Sequence, residues 1–126
     1  MKEYEKWFRK AENDLLAIKN NLAAENIPAD TCCFHAQQAA EKYLKAYLVA
    51  KNIKFPKTHD LKFLLKRCID LTDSFSVIEL PVFSLITYAI DPRYPDEMDE
   101  PTIEDAVQAN ANALVIKDFI LKHFFE

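Results

Sequence analysis

The sequence predicts an all-α protein, folded as an up-and-down antiparallel bundle of four to five helices. Two observations support this prediction. Apolar residues recur at helical spacing along the chain, and its 126 residues include no glycine, where average usage gives about nine. Because tight β-hairpin turns depend on residues with positive φ, the absence of glycine argues against a sheet-rich fold. The length fits one domain, so we expect residues 1–126 to form a single helical domain.

The first helix is predicted to run from Glu3 to Glu25. Its apolar residues alternate at intervals of three and four and form one continuous seam: Tyr4, Phe8, Ala11, Leu15, Ile18 and Leu22. Pro28 ends the helix, because a proline disfavours helical geometry in the residue before it.

The second predicted helix begins near Ala29, with Asp30 as a plausible N-cap, and reaches Ala50. One of its faces is apolar. The opposite face mixes polar and large apolar residues: His35, Gln37, Gln38, Glu41, Lys42 and Lys45, interleaved with Phe34, Leu48 and Val49. A solvated face rarely carries so many large apolar side chains. We therefore expect another helix or another subunit to cover this face in part.

The third helix is predicted from His59 to Leu71, with Thr58 as its N-cap, after a basic loop. Residues 72–79 form a short connection. A fourth helix covers residues 80–90, and Pro81 fits its first turn, where a missing N–H is harmless.

The last helix is predicted to follow an acidic loop and to end near His123. Thr102 and Asp105 have the spacing of a capping box, with Asp in the place of Glu.

Charge is segregated along the chain, although the formal net charge is only -4. Residues 42–67 are rich in lysine and contain one acid, Asp60, whereas residues 91–105 are rich in acids and contain one base, Arg93. Two interpretations stay open. The basic segment forms an anion-binding face, or the two segments are solvated surfaces that attract each other.

The composition also indicates the cellular compartment and excludes some kinds of nucleotide-binding site. Three cysteines without C-x-x-C spacing are typical of a reduced, cytoplasmic protein, and we expect no secretion signal and no membrane span. A chain without glycine has neither a P-loop nor a G-x-G-x-x-G loop. Any bound nucleotide must therefore be held by side chains and helix ends.

No residue pattern predicts catalysis, a metal site or a cofactor, because the three histidines are far apart and no nucleophile has a matching base. The remaining chemistry is recognition of a ligand or a partner. The candidate residues for it are His35, Gln38, Lys42, Lys45, His59, Arg93 and Tyr94.

Each candidate also has a structural interpretation. The residues of the second helix lie on neighbouring rows, where several donors can meet one phosphate, but a polar subunit interface explains them equally well. His59 is expected to orient an anion at the start of the third helix or to be structural there. Arg93, held between prolines, is a ligand contact or a member of an ion pair.

Four segments, in this order, resemble the HEPN domain (higher eukaryotes and prokaryotes nucleotide-binding). They are Trp7-x3-Ala11-x2-Asp14-Leu15, CFHAQQAAEKYLKAYL from Cys33 to Leu48, Lys57-Thr58-His59-Asp60-Leu61, and Arg93-Tyr94-Pro95. The resemblance implies a helical bundle that is often a homodimer. It also implies a minimal nucleotidyltransferase as partner, commonly in a toxin–antitoxin-like pair, and a nucleotide as ligand.

Some members of the resembled family are ribonucleases that use an R-x(4–6)-H motif. Here no histidine follows Arg9, Arg67 or Arg93 at that spacing, so ribonuclease activity is not carried over. The leading interpretation is a nucleotidyltransferase partner that binds a nucleotide. The alternative is a divergent, metal-independent endoribonuclease that acts on RNA through the basic segment.

Overall fold

The computed structural model describes residues 1–87 and 100–126 and confirms the all-α prediction. Its helices, in chain order, are α1 (Glu3–Leu22), α2 (Ala29–Ala50), α3 (Leu61–Leu71), a 3-10 helix (Asp73–Ile78), α4 (Glu79–Thr87) and α5 (Ile103–His123). The described residues contain no strand. Arg93 and Tyr94 lie outside the described residues, as does the end predicted for the fourth helix. No helix in the described parts of the chain is long and apolar enough to cross a membrane.

Helix α2 occupies the centre of the bundle. None of its 22 residues is exposed, and it packs against α1, α3, α4 and α5. Its apolar face, which includes Ala36, Ala40, Tyr43 and Leu44, is buried in the core as predicted. Because the other face is also covered, the polar side chains of α2 must find their partners inside the fold.

Helix α1 packs on α2 in the antiparallel direction. Early residues of α1 meet late residues of α2, as in the Phe8–Tyr43 ring pair at 5.7 Å, whereas Asp14 meets His35. The predicted apolar seam of α1 faces the core along its whole length. Ala11 and Ile18, two members of this seam, have no exposed surface. The seam therefore fixes which face of α1 lies against α2, and the polar residues beside it border the same contact.

Helix α2 ends in a turn that usually requires glycine. Asn52 has a φ of 59°, the left-handed region. The Ile53 amide donates to the Leu48 carbonyl at 2.9 Å, which closes a Schellman-type cap. Asparagine tolerates this conformation better than other residues with a Cβ, so the glycine-free chain still reverses direction here. The turn directs residues 53–60 back along α2.

Several predicted helix ends differ from the structure. Helix α1 ends at Leu22 rather than Glu25, and α2 is preceded by Pro28 rather than capped by Asp30, whose carboxylate accepts from the Thr31 amide. Helix α3 begins at Leu61, not at His59. The predicted capping box of α5 is confirmed in both of its hydrogen bonds.

The N-cap of α3 is Asp60, so the prediction of Thr58 was wrong. The Asp60 carboxylate accepts from the Phe63 amide at 3.1 Å, and the Thr58 hydroxyl accepts from the Asp60 amide just outside the helix. A side-chain acceptor for the third amide of a helix defines the cap. His59 therefore precedes the helix instead of forming its first turn.

Substitution of Asp60 and of Thr58 should show which of the two residues caps α3. Asp60→Ala removes the acceptor for a helix amide and should lower the free energy of unfolding by about 1 kcal/mol. Thr58→Ala should cost less, since its hydroxyl bonds an amide outside the helix. Urea denaturation followed by circular dichroism measures both. A larger loss in Thr58→Ala than in Asp60→Ala would restore the sequence-based assignment.

Candidate anion-binding groove

The polar face of α2 borders a groove of about 1000 Å³, which we call the α1–α2 groove. Its walls are the first half of α1, the middle of α2 and the segment that follows α2. The side chains that line it include Glu3, Lys6, Trp7, Lys10, Gln38, Glu41, Lys42, Lys45, Lys57, Thr58 and His59. This size lies in the range typical of small-molecule sites.

Positive charge dominates the lining of the groove, with five lysines against two glutamates. Three of these lysines, Lys6, Lys10 and Lys57, are exposed, so their ammonium groups lie in solvent at the groove. Lys42 and Lys45 are more buried, and each pairs with a carboxylate. A concave surface with an excess of charge of one sign concentrates counter-ions, so the excess of lysines favours anions in this groove even though the whole chain is acidic.

Asp14 of α1 holds two side chains of α2. Its carboxylate is 6% exposed, and it lies 2.8 Å from the Nδ1 atom of His35 and 2.5 Å from the Nζ atom of Lys42. A nearly buried carboxylate requires such partners, because an unpaired charge at this depth is costly. The contact joins the two helices and holds the ammonium group of Lys42 beside the groove.

Glu41 forms a second cluster on the next row of α2. Its carboxylate is almost completely buried and accepts from Lys45 Nζ at 3.0 Å. The Nδ1 atom of His59 lies 3.0 Å from the same carboxylate, although the His59 side chain is 83% exposed. Glu41 therefore links the buried helix to the segment that precedes α3.

Aromatic rings enclose the ammonium group of Lys45. Its Nζ atom lies 5.2 Å from the centroid of the Trp7 ring and 5.8 Å from that of Phe55. Both distances suit cation–π attraction, which stabilises a partly desolvated cation. Trp7 is the single tryptophan of the chain and lies in the groove wall, so its fluorescence can report on what occupies the groove.

The structure brings four of the candidate residues together: Gln38, Lys42, Lys45 and His59 line the same groove. His35 is part of the Asp14 cluster but does not line the groove. His59 contacts Glu41 through its Nδ1 atom, which gives it a structural contact, and its expected role toward an anion stays a prediction. The polar face of α2 was predicted to be partly covered by another helix or another subunit, and α1 of the same chain forms part of this cover.

Sequence reasoning missed Trp7, Lys6 and Lys10 as groove residues and treated Lys57 only as part of a basic segment. A signal for Lys6 and Lys10 was present, but none for Trp7. Lys6, Lys10 and Asp14 recur every four residues and form a polar row beside the apolar seam of α1. The row shows which residues share a face of α1, but which part of α2 they meet depends on the packing of the two helices.

The other reactive side chains have roles in the core. Burial raises the pKa of Cys33 to about 11 and that of Cys68 to about 12, so neither thiol is a ready nucleophile. Burial also raises the pKa of Tyr43, whose hydroxyl donates to Glu12. Within residues 1–87 and 100–126, no group of three or more His, Cys, Asp or Glu side chains is placed to hold a metal ion.

Comparison with known proteins identifies the fold. The family model described as "HEPN domain" matches residues 4–123. The chain is also similar to an archaeal HEPN homologue of known crystal structure. The two share 26% sequence identity and a TM-score of 0.76 over 98% of this chain and 99% of that chain. No curated protein sequence matches the chain.

The buried pair of Glu41 and Lys45 should be sensitive to loss of one partner. Glu41→Gln leaves the Lys45 ammonium, which is 5% exposed, without a counter-charge, and should lower the free energy of unfolding by about 3 kcal/mol. The double variant Glu41→Gln/Lys45→Met removes both charges and should recover at least half of this loss. Urea denaturation measures each value.

Glu104→Gln serves as the control for that series, since Glu104 is exposed on α5 and its loss should change stability by less than about 0.5 kcal/mol. A Glu41→Gln variant as stable as this control would mean that Lys45 is not buried with Glu41 in solution.

Proposed function

Since the chain belongs to the HEPN domain family, we propose that it is a cytoplasmic helical binding module. In this proposal it binds a nucleotide in the α1–α2 groove and serves as the partner subunit of a minimal nucleotidyltransferase, in a toxin–antitoxin-like pair. The observation that supports nucleotide binding best is the composition of the groove. It combines lysines on three segments of the chain with the side chain of Trp7.

The two parts of a nucleotide match the two kinds of side chain in the groove. Phosphate oxygens accept charge-assisted hydrogen bonds from lysine ammonium groups, and Lys6, Lys10 and Lys57 offer such groups in solvent. A base stacks on an aromatic ring such as that of Trp7, and base–aromatic stacking contributes about 1–3 kcal/mol per base. The chain has no glycine-rich phosphate loop, so these side chains supply the binding energy.

Homodimer formation and contact with the nucleotidyltransferase need other surfaces. The residues of α2 are all buried or half-buried, so this helix offers little surface for the subunit interface that its sequence suggested. Exposed apolar side chains lie elsewhere. Val77 and Leu80 near the start of α4 are 72% and 79% exposed, and Ile103 and Val107 lie exposed on α5. Exposed apolar side chains are available there for contact with a partner, so we place the partner surfaces on these elements.

One observation favours the alternative, a metal-independent endoribonuclease. The exposed imidazole of His59 is oriented by the buried carboxylate of Glu41, which is the arrangement of a positioned general base. It lies beside a basic groove suited to RNA phosphates. A cleavage assay on RNA with the His59→Gln variant as control, together with growth of cells that express the chain, separates this alternative from pure binding.

Nucleotide binding should depend on the groove lysines. Calorimetric titration with ATP and with GTP should show binding, and either ligand should change the fluorescence of Trp7. Lys57→Ala and Lys6→Ala should each weaken binding about fivefold, equivalent to roughly 1 kcal/mol for one exposed charge contact. Lys42→Ala should weaken it further, because its ammonium is held in place by Asp14.

Lys19→Ala is the matched control, since Lys19 is an exposed lysine of α1 outside this groove. Equal loss of affinity in Lys19→Ala and Lys57→Ala would place the bound nucleotide elsewhere. If neither nucleotide gives a heat of binding or a fluorescence change, nucleotide binding is refuted and only the partner role of the proposal remains.

The oligomer and the partner are tested together. Size-exclusion chromatography with light scattering should give twice the mass of the chain at micromolar concentration. Co-expression with a nucleotidyltransferase encoded beside it should yield a complex that survives purification. If the chain is a monomer and does not retain the nucleotidyltransferase during purification, the partner role is refuted.

A further inference from the structure

We propose that anion binding in the α1–α2 groove is coupled to the uptake of one proton by His59. The inference deepens the proposed function and rests on it, since it concerns how the same groove holds a phosphate group. It is carried by one contact, in which a buried carboxylate is bonded to an almost fully exposed imidazole.

The hydrogen bond to Glu41 fixes the tautomer of His59. An ionised carboxylate only accepts hydrogen bonds, so the Nδ1 atom of His59, 3.0 Å from the Glu41 oxygen, must carry the proton. In the neutral ring the other nitrogen, Nε2, is then a bare acceptor. Because the side chain is 83% exposed and lines the groove, this second nitrogen is available to a ligand.

A phosphate oxygen and a neutral Nε2 atom are both acceptors, so they repel each other. Protonation of Nε2 converts the same atom into a donor and adds a positive charge beside the groove. The imidazolium can then form a charge-assisted hydrogen bond with a phosphate while Nδ1 still donates to Glu41.

The charges around His59 favour this coupling. From α2 these are Glu41, Lys42 and Lys45. From α1 they are Glu3, Lys6 and Lys10. Its own segment adds Lys57 and Asp60. The lysines disfavour a further positive charge in the empty groove, whereas a bound polyphosphate neutralises them and favours it. Proton and anion therefore increase each other's affinity, as thermodynamic linkage requires.

The test uses the full chain and ATP. Affinity, measured by calorimetry and Trp7 fluorescence at pH 8 and pH 5.5, should increase about tenfold at the lower pH. The variant His59→Gln keeps a side-chain donor for Glu41 but does not titrate. Its affinity should increase much less than that of the wild type between pH 8 and pH 5.5. Because ATP itself titrates in this range, the difference between the two proteins is the quantity of interest.

Titrations in buffers of different ionisation enthalpy count the protons taken up. At pH 7 the wild type should take up more protons per bound ATP than His59→Gln. His123→Gln is the matched control, because His123 pairs with Glu126 outside the groove, and it should behave as the wild type. His35→Gln tests the histidine of α2, which bonds Asp14, and should also retain the pH dependence.

The outcomes are distinguishable. If ATP binds in the groove but His59→Gln shows the same pH dependence and proton uptake as the wild type, the coupling is refuted while the proposed function stands. If ATP does not bind the groove at either pH, the proposed function itself fails. Circular dichroism of each variant shows that a loss of binding is not a loss of fold.

Discussion

The constraint on which the structure depends is the central position of α2, which packs against four other helices and whose residues are all buried or half-buried. Polar side chains that are largely removed from water must find partners inside the protein, and this helix carries histidine, glutamate and lysine on one face. Two carboxylates meet this requirement. Asp14 reaches from α1 to His35 and Lys42, and Glu41 binds Lys45. These contacts hold α1 on α2, and they also fix the charged side chains that border the groove.

The groove is thus a consequence of how α2 is covered. Helix α1 contributes Trp7 to one wall, and the segment that follows the Asn52 turn contributes His59. Lys42 and Lys45 lie between them with restricted side chains, since each is bound to a carboxylate. Lysines held in this way lose less conformational entropy when they bind an anion than free surface lysines do. An acidic protein therefore presents a groove with a local excess of lysines, which supports the proposed anion site.

Much of the fold was predictable from local patterns. The α1 seam and the capping box at Thr102 follow from helical periodicity and cap chemistry, and both are confirmed. The start of α3 was missed because Thr58 and Asp60 are both good cap residues, and only the backbone decides between them. For the groove, the sequence indicated the residues of α2. The contribution of Trp7 was hidden, because it depends on which turn of α1 lies beside Lys45.

The most direct test of this account concerns the lysine ammonium groups of α2. Nitrogen-15 NMR of the ammonium protons shows whether each group is shielded and hydrogen-bonded, because exposed lysines exchange their protons with water too fast to be seen. The account predicts slow exchange for Lys45, which is paired with Glu41 beneath Trp7, and fast exchange for the exposed Lys57. Equally fast exchange at both positions would contradict a buried, internally paired face of α2.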